Sequence, residues 1–108
     1  ESAPIKVSDY DLCRVLTNII DNAINAVENS SLSKDIELNI VSNTNDILIK
    51  SKNAFALNKS KKKDAQNHGY GQKIISDIAK KYNGTYTTKA ENEYFSTVTQ
   101  LNNIDLNE

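Results

Sequence analysis

The feature that most constrains this sequence is a segment of about twenty residues whose apolar side chains recur at helical spacing. Between Asp9 and Val27 the apolar residues return every three or four positions, and they are Leu12, Val15, Leu16, Ile19, Ile20, Ala23 and Val27. At about 100° per residue they share one face, so the segment predicts an amphipathic helix that packs on a core. Ser8 precedes Asp11 at capping-box spacing, and three turn-forming residues at 29–31 predict the end of the helix.

The rest of the chain predicts strands around one further helix. The predicted elements are a short edge strand at Ile5–Val7, a half-buried strand at Asp35–Val41, a hairpin partner from Ile47, a helix from Ile74 to Tyr82 capped by Asn83–Gly84, and strands at Thr85–Thr88 and Tyr94–Leu101. This order predicts an α/β (α+β) fold, a two-layer sandwich in which helices cover one face of a mixed β-sheet.

Composition limits the classes of function open to the chain. A length of 108 residues suits one core, so we expect a single domain over residues 1–108. A formal net charge of -1 argues against nucleic acid binding by bulk electrostatics. One Cys and one His exclude an internal disulfide and a zinc site built from several such ligands. Cys13 is predicted to be a buried small hydrophobe, and the low Cys content favours a reducing compartment.

A narrow stripe of Asn residues runs beside the apolar face of the first helix. It contains Asn18, Asn22, Asn25 and Asn29, although Asn is a poor helix former because its amide competes for backbone groups. An amide oxygen can coordinate a hard cation, and its NH₂ can donate to phosphate. Asn18 and Asn22, one turn apart, therefore predict a site that faces a phosphate chain. Because roughly one residue in seven is Asn, a solvated stripe is the alternative on spacing alone.

A second candidate site precedes the second helix. Hydrophobic periodicity disappears between Ser51 and Gly71, which predicts a long functional loop. The sequence His68-Gly69-Tyr70-Gly71 ends this loop, and glycine backbone at a helix N-terminus binds phosphate readily. Upstream lysines are predicted to fold over a triphosphate as a lid, and they are Lys59, Lys61, Lys62 and Lys63. A flexible solvated loop with a glycine hinge is the alternative.

Together the two motifs resemble those of one ATPase superfamily. The segment DLCRVLTNIIDNAINAV, from Asp11 to Val27, is similar to the N box of the gyrase, Hsp90, histidine kinase and MutL superfamily. The matching positions are Asn18, Asp21, Asn22 and Ala23. The segment HGYGQKIISDIAKKYNGTY, from His68, is similar to the second glycine box of the branch that contains the Agr-type quorum-sensing receptor kinases. The resemblance implies the ATP-binding catalytic domain of a sensor histidine kinase, with the Bergerat fold.

The resemblance also implies the ligands and a role for each motif residue. Asn22 matches the position whose amide oxygen coordinates Mg²⁺. Asn18 matches the neighbour that approaches the phosphates or the water shell of the metal. Gly69 and Gly71 match the glycines whose backbone amides cradle phosphate, so ATP and Mg²⁺ are the expected ligands.

Further contacts with the nucleotide are expected from the lid and the sheet. Lys61 or Lys62 is expected to be the basic lid residue, with His68 and Tyr70 beside the phosphates or packed in the lid. Asn53 matches a site where many relatives carry an Asp that binds the adenine amino group. The usual first glycine box has no counterpart here, and a neutral Asn accepts less strongly than a carboxylate, so weaker adenine binding is expected.

The implied function is phosphoryl transfer within a two-component sensor kinase of the quorum-sensing or ligand-sensing type. The domain is expected to donate the γ-phosphate of ATP to a histidine on a separate dimerisation domain of the same protein, which then serves a cognate response regulator. This chain alone is not expected to autophosphorylate, and a homodimer is expected only for the full-length kinase. The domain is expected in the cytoplasm, as a fragment of a parent protein anchored in the cell membrane.

Two alternative functions stay open from the sequence. The first is an ATP-hydrolysing clamp of the same superfamily. Those hydrolases carry a water-activating Glu where this chain has Asn18, which favours transfer over hydrolysis. The second is a degenerate nucleotide-binding or docking module without catalysis, suggested by the missing first glycine box.

Overall fold

Two helices and four strands make up the described part of the protein. The computed structural model describes residues 6–28, 35–54, 61–91 and 93–104, and within the second helix it describes side chains from Gly71 onward. In chain order the elements are α1 (Asp9–Glu28), β1 (Ile36–Ser42), β2 (Asp46–Ala54), α2 (Lys61–Lys81), β3 (Thr85–Glu91) and β4 (Tyr94–Asn102). Both helices pack on one face of the sheet, so the predicted two-layer α+β class is confirmed.

The sheet has the strand order β1-β2-β4-β3, and every neighbouring pair is antiparallel. The prediction of a mixed sheet is therefore wrong for the described residues. It depended on a strand at 5–7, of which Lys6 and Val7 are described and form no strand. Val7 is instead buried in the core, and the Lys6 backbone N–H donates to Asn103 Oδ1 at 2.6 Å.

The core lies between the helix layer and one face of the sheet. Alternate residues of β2 point toward the helices, since Ile47, Ile49 and Ser51 are buried while Lys50 and Lys52 are exposed. The buried apolar cluster comprises Val7, Val15, Ile19, Ile47, Ile49, Ile75, Ile78, Ala79, Tyr82 and Leu101. Each large aliphatic side chain buried there contributes about 1.5–3 kcal/mol of transfer free energy. This cluster fixes both helices against the strands.

The start of α1 follows the predicted cap. The Asp11 backbone N–H donates to Ser8 Oγ at 3.1 Å, and the Leu12 N–H donates to the Ser8 carbonyl at 3.0 Å. The Ser8 side chain thus satisfies one otherwise unpaired amide of the first turn, and the Ser8 carbonyl accepts the first regular bond of the helix. The described helix extends to Glu28, and the predicted stop at residues 29–31 lies outside the described part. Cys13 is exposed on α1, so the prediction of a buried Cys13 is wrong.

The second helix is much longer than predicted, and the expected loop between Ser51 and Gly71 is wrong. Strand β2 continues to Ala54, and α2 already begins at Lys61, so Gly69 and Gly71 lie inside a helix rather than before one. Residues 61–66 are Lys, Lys, Lys, Asp, Ala and Gln, which include several strong helix formers. Two glycines cost about 1 kcal/mol each in a helix interior, and α2 accommodates both. Residues 55–60, including Lys59, lie outside the described part.

The end of α2 matches the predicted cap. Asn83 adopts the left-handed conformation with φ of 57°, which Asn tolerates better than most residues. The Gly84 N–H donates to the Ala79 carbonyl at 2.7 Å, and the Asn83 N–H donates to the Lys80 carbonyl at 2.9 Å. Gly84 is required by close approach, because a Cβ there would lie 1.7 Å from the Gln100 carbonyl oxygen. The start of β3 therefore packs directly against β4.

Strand β1 differs from its prediction in burial. All seven of its residues are exposed, although the alternation of Ile36, Leu38 and Ile40 predicted a half-buried strand. The register places these three side chains opposite Asn53, Ser51 and Ile49, on the face that carries the helices. The helices cover that face only partly at this edge, because α1 packs mainly over β2.

Candidate functional site

The centre of the candidate site is a close approach between α1 and α2. A methyl group placed on Gly71 would lie 3.1 Å from Asn18 Oδ1 and 3.4 Å from Asn22 Oδ1. Gly71 itself is buried, and both Asn side chains are half-buried. Asn18 and Asn22 therefore face α2 rather than open solvent. The two predicted motifs thus lie side by side, and their roles in binding phosphate stay a prediction.

The Asn18 amide has a fixed orientation. Its Nδ2 donates to the Arg14 carbonyl, one turn earlier on α1, at 2.8 Å. Its Oδ1 is the atom nearest Gly71. The Asn18 amide therefore presents an oxygen to α2, and oxygen is the atom that hard cations and water protons bind.

Buried polar side chains lie on the sheet face beneath the helices. Asn53 is 3% exposed near the end of β2, and its Nδ2 donates to the Ala54 carbonyl at 2.9 Å. Two residues before Asn53 on β2, Ser51 Oγ shares a buried hydrogen bond of 2.7 Å with Thr97 Oγ1 of β4. Because the Asn53 NH₂ is engaged by Ala54, its Oδ1 is the atom left to accept from a ligand.

An acidic side chain ties the ends of the two helices together. Asp11 is 3% exposed, and its Oδ2 accepts from the Tyr82 hydroxyl at 2.6 Å and from Lys81 Nζ at 2.8 Å. Burial alone would raise the pKa of the Asp11 carboxyl, but hydrogen bonding with Lys81, Tyr82 and Ser8 outweighs it and holds that pKa below its ordinary value. Asp11 is therefore a buried charged acceptor that links the start of α1 to the end of α2.

The other predicted site residues fall on the first half of α2. Lys61, Lys62, His68, Gly69 and Tyr70 lie on its helical backbone, and the positions of their side chains are outside the described part. The expected cradle of free glycine amides is not formed in this conformation, and the phosphate-binding role of Gly69 and Gly71 stays a prediction. A residue ten positions into a helix donates its N–H to the carbonyl four residues earlier, so the Gly71 N–H is not free for phosphate.

Comparison with known proteins identifies the family. The family model for the GHKL domain matches residues 7–102, which is most of the chain. The chain belongs to the GHKL domain family. No curated protein gave a match. GHKL domains bind ATP, and the contact of Asn18 and Asn22 with Gly71 joins the two motifs that suggested this superfamily.

Some polar residues of this GHKL domain were not found from the sequence. Ser51 was predicted to begin the long loop, and Thr97 and Thr99 were predicted only as parts of a strand, yet all three are buried on the helix-facing side. Ser51 lies opposite Thr97 because β2 pairs with β4, and these strands are separated in the chain by α2 and β3, so no local signal would have found this pair. Thr99 Oγ1 and the Tyr86 hydroxyl have no hydrogen-bond partner among the described residues, and burial raises the pKa of Tyr86 to about 12.

The described residues contain no cluster of three or more His, Cys, Asp or Glu side chains that could hold a metal ion. No described helix of the GHKL domain is long and apolar enough to cross a membrane.

Proposed function

We propose that this GHKL domain binds Mg–ATP between α1 and α2 and donates the γ-phosphate to a histidine on a separate dimerisation domain. The observation that carries the proposal is the approach of Asn18 and Asn22 to Gly71. Two amides one turn apart lie directly against a backbone without a side chain, so a movement of α2 at that point would expose both amides to a phosphate chain. The family match supports ATP as the nucleotide.

Asn22 is the proposed metal ligand. Both its Oδ1 and its Nδ2 lie near Gly71, within 3.4 Å and 3.7 Å of a Cβ placed there. The oxygen would hold Mg²⁺, which supplies positive charge to the phosphates, and the NH₂ would donate to a phosphate oxygen. Asn18 presents only its oxygen, because Arg14 engages its NH₂. Asn18 therefore suits acceptance from a metal-bound water.

Asn53 is the proposed contact for the adenine base. Its NH₂ is engaged by the Ala54 carbonyl, so the Oδ1 can accept from an exocyclic amino group. Adenine carries such a group, whereas hypoxanthine carries a carbonyl at the same position. As a neutral acceptor, Asn53 should bind adenine less strongly than a carboxylate would.

The first half of α2 is proposed to uncoil when the nucleotide binds. Phosphate can use the amides of Gly69 and Gly71 only if the helix begins there, since these amides are otherwise engaged within α2. Uncoiling would convert residues 61–70 into the lid that the sequence predicted. Lys61 or Lys62, His68 and Tyr70 would then be free to approach the triphosphate.

Transfer is preferred to hydrolysis because the two described side chains that face Gly71 are amides, which do not act as bases. The Asp11 carboxylate accepts from Lys81 and Tyr82 through its Oδ2. The domain would position and stabilise the phosphoryl group while the partner supplies the nucleophilic histidine. On this proposal the parent is a membrane-anchored two-component sensor kinase of the quorum-sensing or ligand-sensing type, and its cognate response regulator receives the phosphoryl group.

A docking module without catalysis is the second candidate. The observation in its favour is that Gly71 already lies against both amides, so α2 closes the site in this conformation. A protein fixed in this state would bind partners without binding nucleotide. Titration with Mg–ATP separates the two functions, because only the first predicts saturable binding.

The proposed function is tested by Asn22→Ala. The substitution removes the metal-binding oxygen, so Mg-dependent ATP affinity should fall at least about tenfold, or 1.4 kcal/mol. Isothermal titration calorimetry with and without Mg²⁺ measures this loss. Thr17→Ala is the matched control, because Thr17 is exposed on the same helix and away from Gly71. Equal affinity for Mg–ATP in wild type and Asn22→Ala, with both folded, would reject the proposed site.

A further inference from the structure

The largest group of exposed apolar side chains lies at the β1 edge, opposite the amide site. On β1, Ile36, Leu38 and Ile40 are 36%, 37% and 50% exposed, all on the helix-facing side. On α1, Ile20 and Ile24 are 37% and 40% exposed. Contiguous exposed apolar patches on proteins mark contact surfaces. We call these five residues the β1 edge patch.

The β1 edge patch is continuous because of how α1 sits. Asn18 and Asn22 face α2, and residues two positions further along a helix point about 160° away from them. Ile20 and Ile24 therefore face away from α2. Since α1 packs over β2 and β1 while α2 packs over β3 and β4, that direction is toward the β1 edge.

Strand β1 also lacks the features that usually protect a sheet edge. Its sequence, IELNIVS, contains no Lys and no Pro, and its register with β2 is unbroken over seven residues. The opposite edge, β3, carries an ion pair between Lys89 and Glu91 at 3.2 Å. Edge strands with unpaired backbone groups and few charges pair readily with another strand.

We propose that two copies of this chain associate through their β1 edges to form one continuous eight-stranded antiparallel sheet. The proposal is independent of nucleotide binding. The contact between two copies of this domain would exist in addition to the dimerisation that is expected from a separate domain. The two-fold axis would pass through Asn39 and stand perpendicular to the sheet, which leaves the helices of both copies on the same side.

The sequence of β1 is self-complementary in this register. All seven residues pair, with Leu38 of one copy opposite Ile40 of the other on the helix-facing side, and Asn39 opposite itself on the outer side. The single charged residue, Glu37, lies opposite Val41. The two Glu37 side chains are separated by four residues along the strand, about 13 Å, which exceeds the Debye length at physiological salt. The pairing therefore carries no like-charge penalty.

The helix layer fits the same arrangement. Strands are spaced about 4.8 Å apart, so α1 helices that pack mainly over β2 of each copy would lie up to about 14 Å apart across the axis. This is wider than the 8–10 Å at which helices pack directly, so the space between the two helices is open to the side chains of Ile20 and Ile24. Ile20 and Ile24 of the two copies would then close over Leu38 and Ile40, and the whole β1 edge patch would be buried.

Sedimentation equilibrium of the 108-residue chain tests the proposal directly. The weight-average mass should rise from 12.0 kDa toward twice that value across the micromolar to millimolar range. Ile40→Lys should weaken association at least about tenfold, because it places a charge in the centre of the contact. Thr88→Lys is the matched control on the helix-facing side of the other edge strand, and it should associate like wild type. A mass of 12.0 kDa at all concentrations would overturn the proposal, as would a dimer unaffected by Ile40→Lys.

Cross-linking tests the register. In a Cys13→Ser background, Asn39→Cys should form an intermolecular disulfide on mild oxidation, because directly opposite residues of antiparallel strands have Cβ atoms about 4.5–5.5 Å apart. Thr87→Cys, on the outer face of β3, is the control and should stay reduced for longer. Equal rates of cross-linking for the two variants would contradict pairing through β1.

Discussion

A few single residues fix the position of α1 relative to α2 beside the proposed site. Asp11 accepts from Lys81 and Tyr82, while the Ser8 backbone N–H donates to the same Tyr82 hydroxyl at 3.1 Å. The start of α1 is thus bonded to the end of α2. Because the helices contact each other along their length, this anchor limits how far Gly71 can move from Asn18 and Asn22. A larger opening of the site therefore has to come from α2 itself rather than from a shift of the whole helix.

Asp11→Asn should reduce stability in a pH-dependent way. The native pKa of Asp11 lies below its ordinary value of 3.8, so its stabilising effect is complete well above pH 3.8 and is lost as the pH falls through the native pKa. Near pH 7 the variant should lose about 1–3 kcal/mol of unfolding free energy, the contribution of hydrogen bonds to a charged group. Urea unfolding at pH 7 and at pH 3 measures both values. A loss that is as large at pH 3 as at pH 7 would show that the charge of Asp11 is unimportant.

At the level of elements, the sequence predicted the features that depend on residues close together in the chain. Helix α1, its Ser8 cap and the Asn83 cap of α2 follow from short-range patterns, and the structure has all three. The early start of α2 did not follow, because two glycines read as a loop while the Lys-rich segment before them also suits a helix. The exposure of β1 depends on how far α1 extends over the sheet edge, and local alternation carries no information about that.

Gly84→Ala should severely destabilise the domain. A Cβ at this position would lie 1.7 Å from the Gln100 carbonyl oxygen and 2.7 Å from its carbon, both backbone atoms that cannot move aside. The expected loss is above about 4 kcal/mol of unfolding free energy, in the range of the most disruptive single substitutions. Gly71→Ala is the comparison, because its Cβ meets side-chain atoms of Asn18 and Asn22 at 3.1 Å or more. Thermal unfolding followed by circular dichroism should show a small change for Gly71→Ala, and similar melting of the two variants would contradict this account.

Gly69→Ala tests whether α2 uncoils on nucleotide binding. Ala favours a helix interior by about 1 kcal/mol over Gly, so the variant should be more stable and should bind Mg–ATP up to about fivefold more weakly. Ser76→Ala is the control, because it strengthens the same helix beyond Gly71 and should leave affinity unchanged. Calorimetry and thermal unfolding supply the two readouts. An affinity for Mg–ATP that does not fall in Gly69→Ala would show that α2 keeps its helical form in the complex.

At the scale of the whole molecule, α1 has two flanks with different chemistry. One flank places Asn18 and Asn22 against α2, and the other leaves Ile20 and Ile24 at the uncovered edge of the sheet. The first flank could be predicted from sequence, because its residues lie one turn apart on a single helix and carry a recognisable motif. The buried Ser51–Thr97 pair could not, since it joins residues 46 positions apart through the sheet register.

The central claim is that the amides of Asn18 and Asn22 and the backbone of Gly71 hold Mg–ATP. Two-dimensional ¹H–¹⁵N NMR tests this most directly, because side-chain NH₂ groups and backbone amides give separate signals. On titration with Mg–ATP, the side-chain signals of Asn18 and Asn22 and the backbone signal of Gly71 should shift together and saturate, while the side chain of Asn39 on β1 stays unchanged. Saturable shifts confined to other residues, or no shifts at millimolar Mg–ATP, would contradict the account.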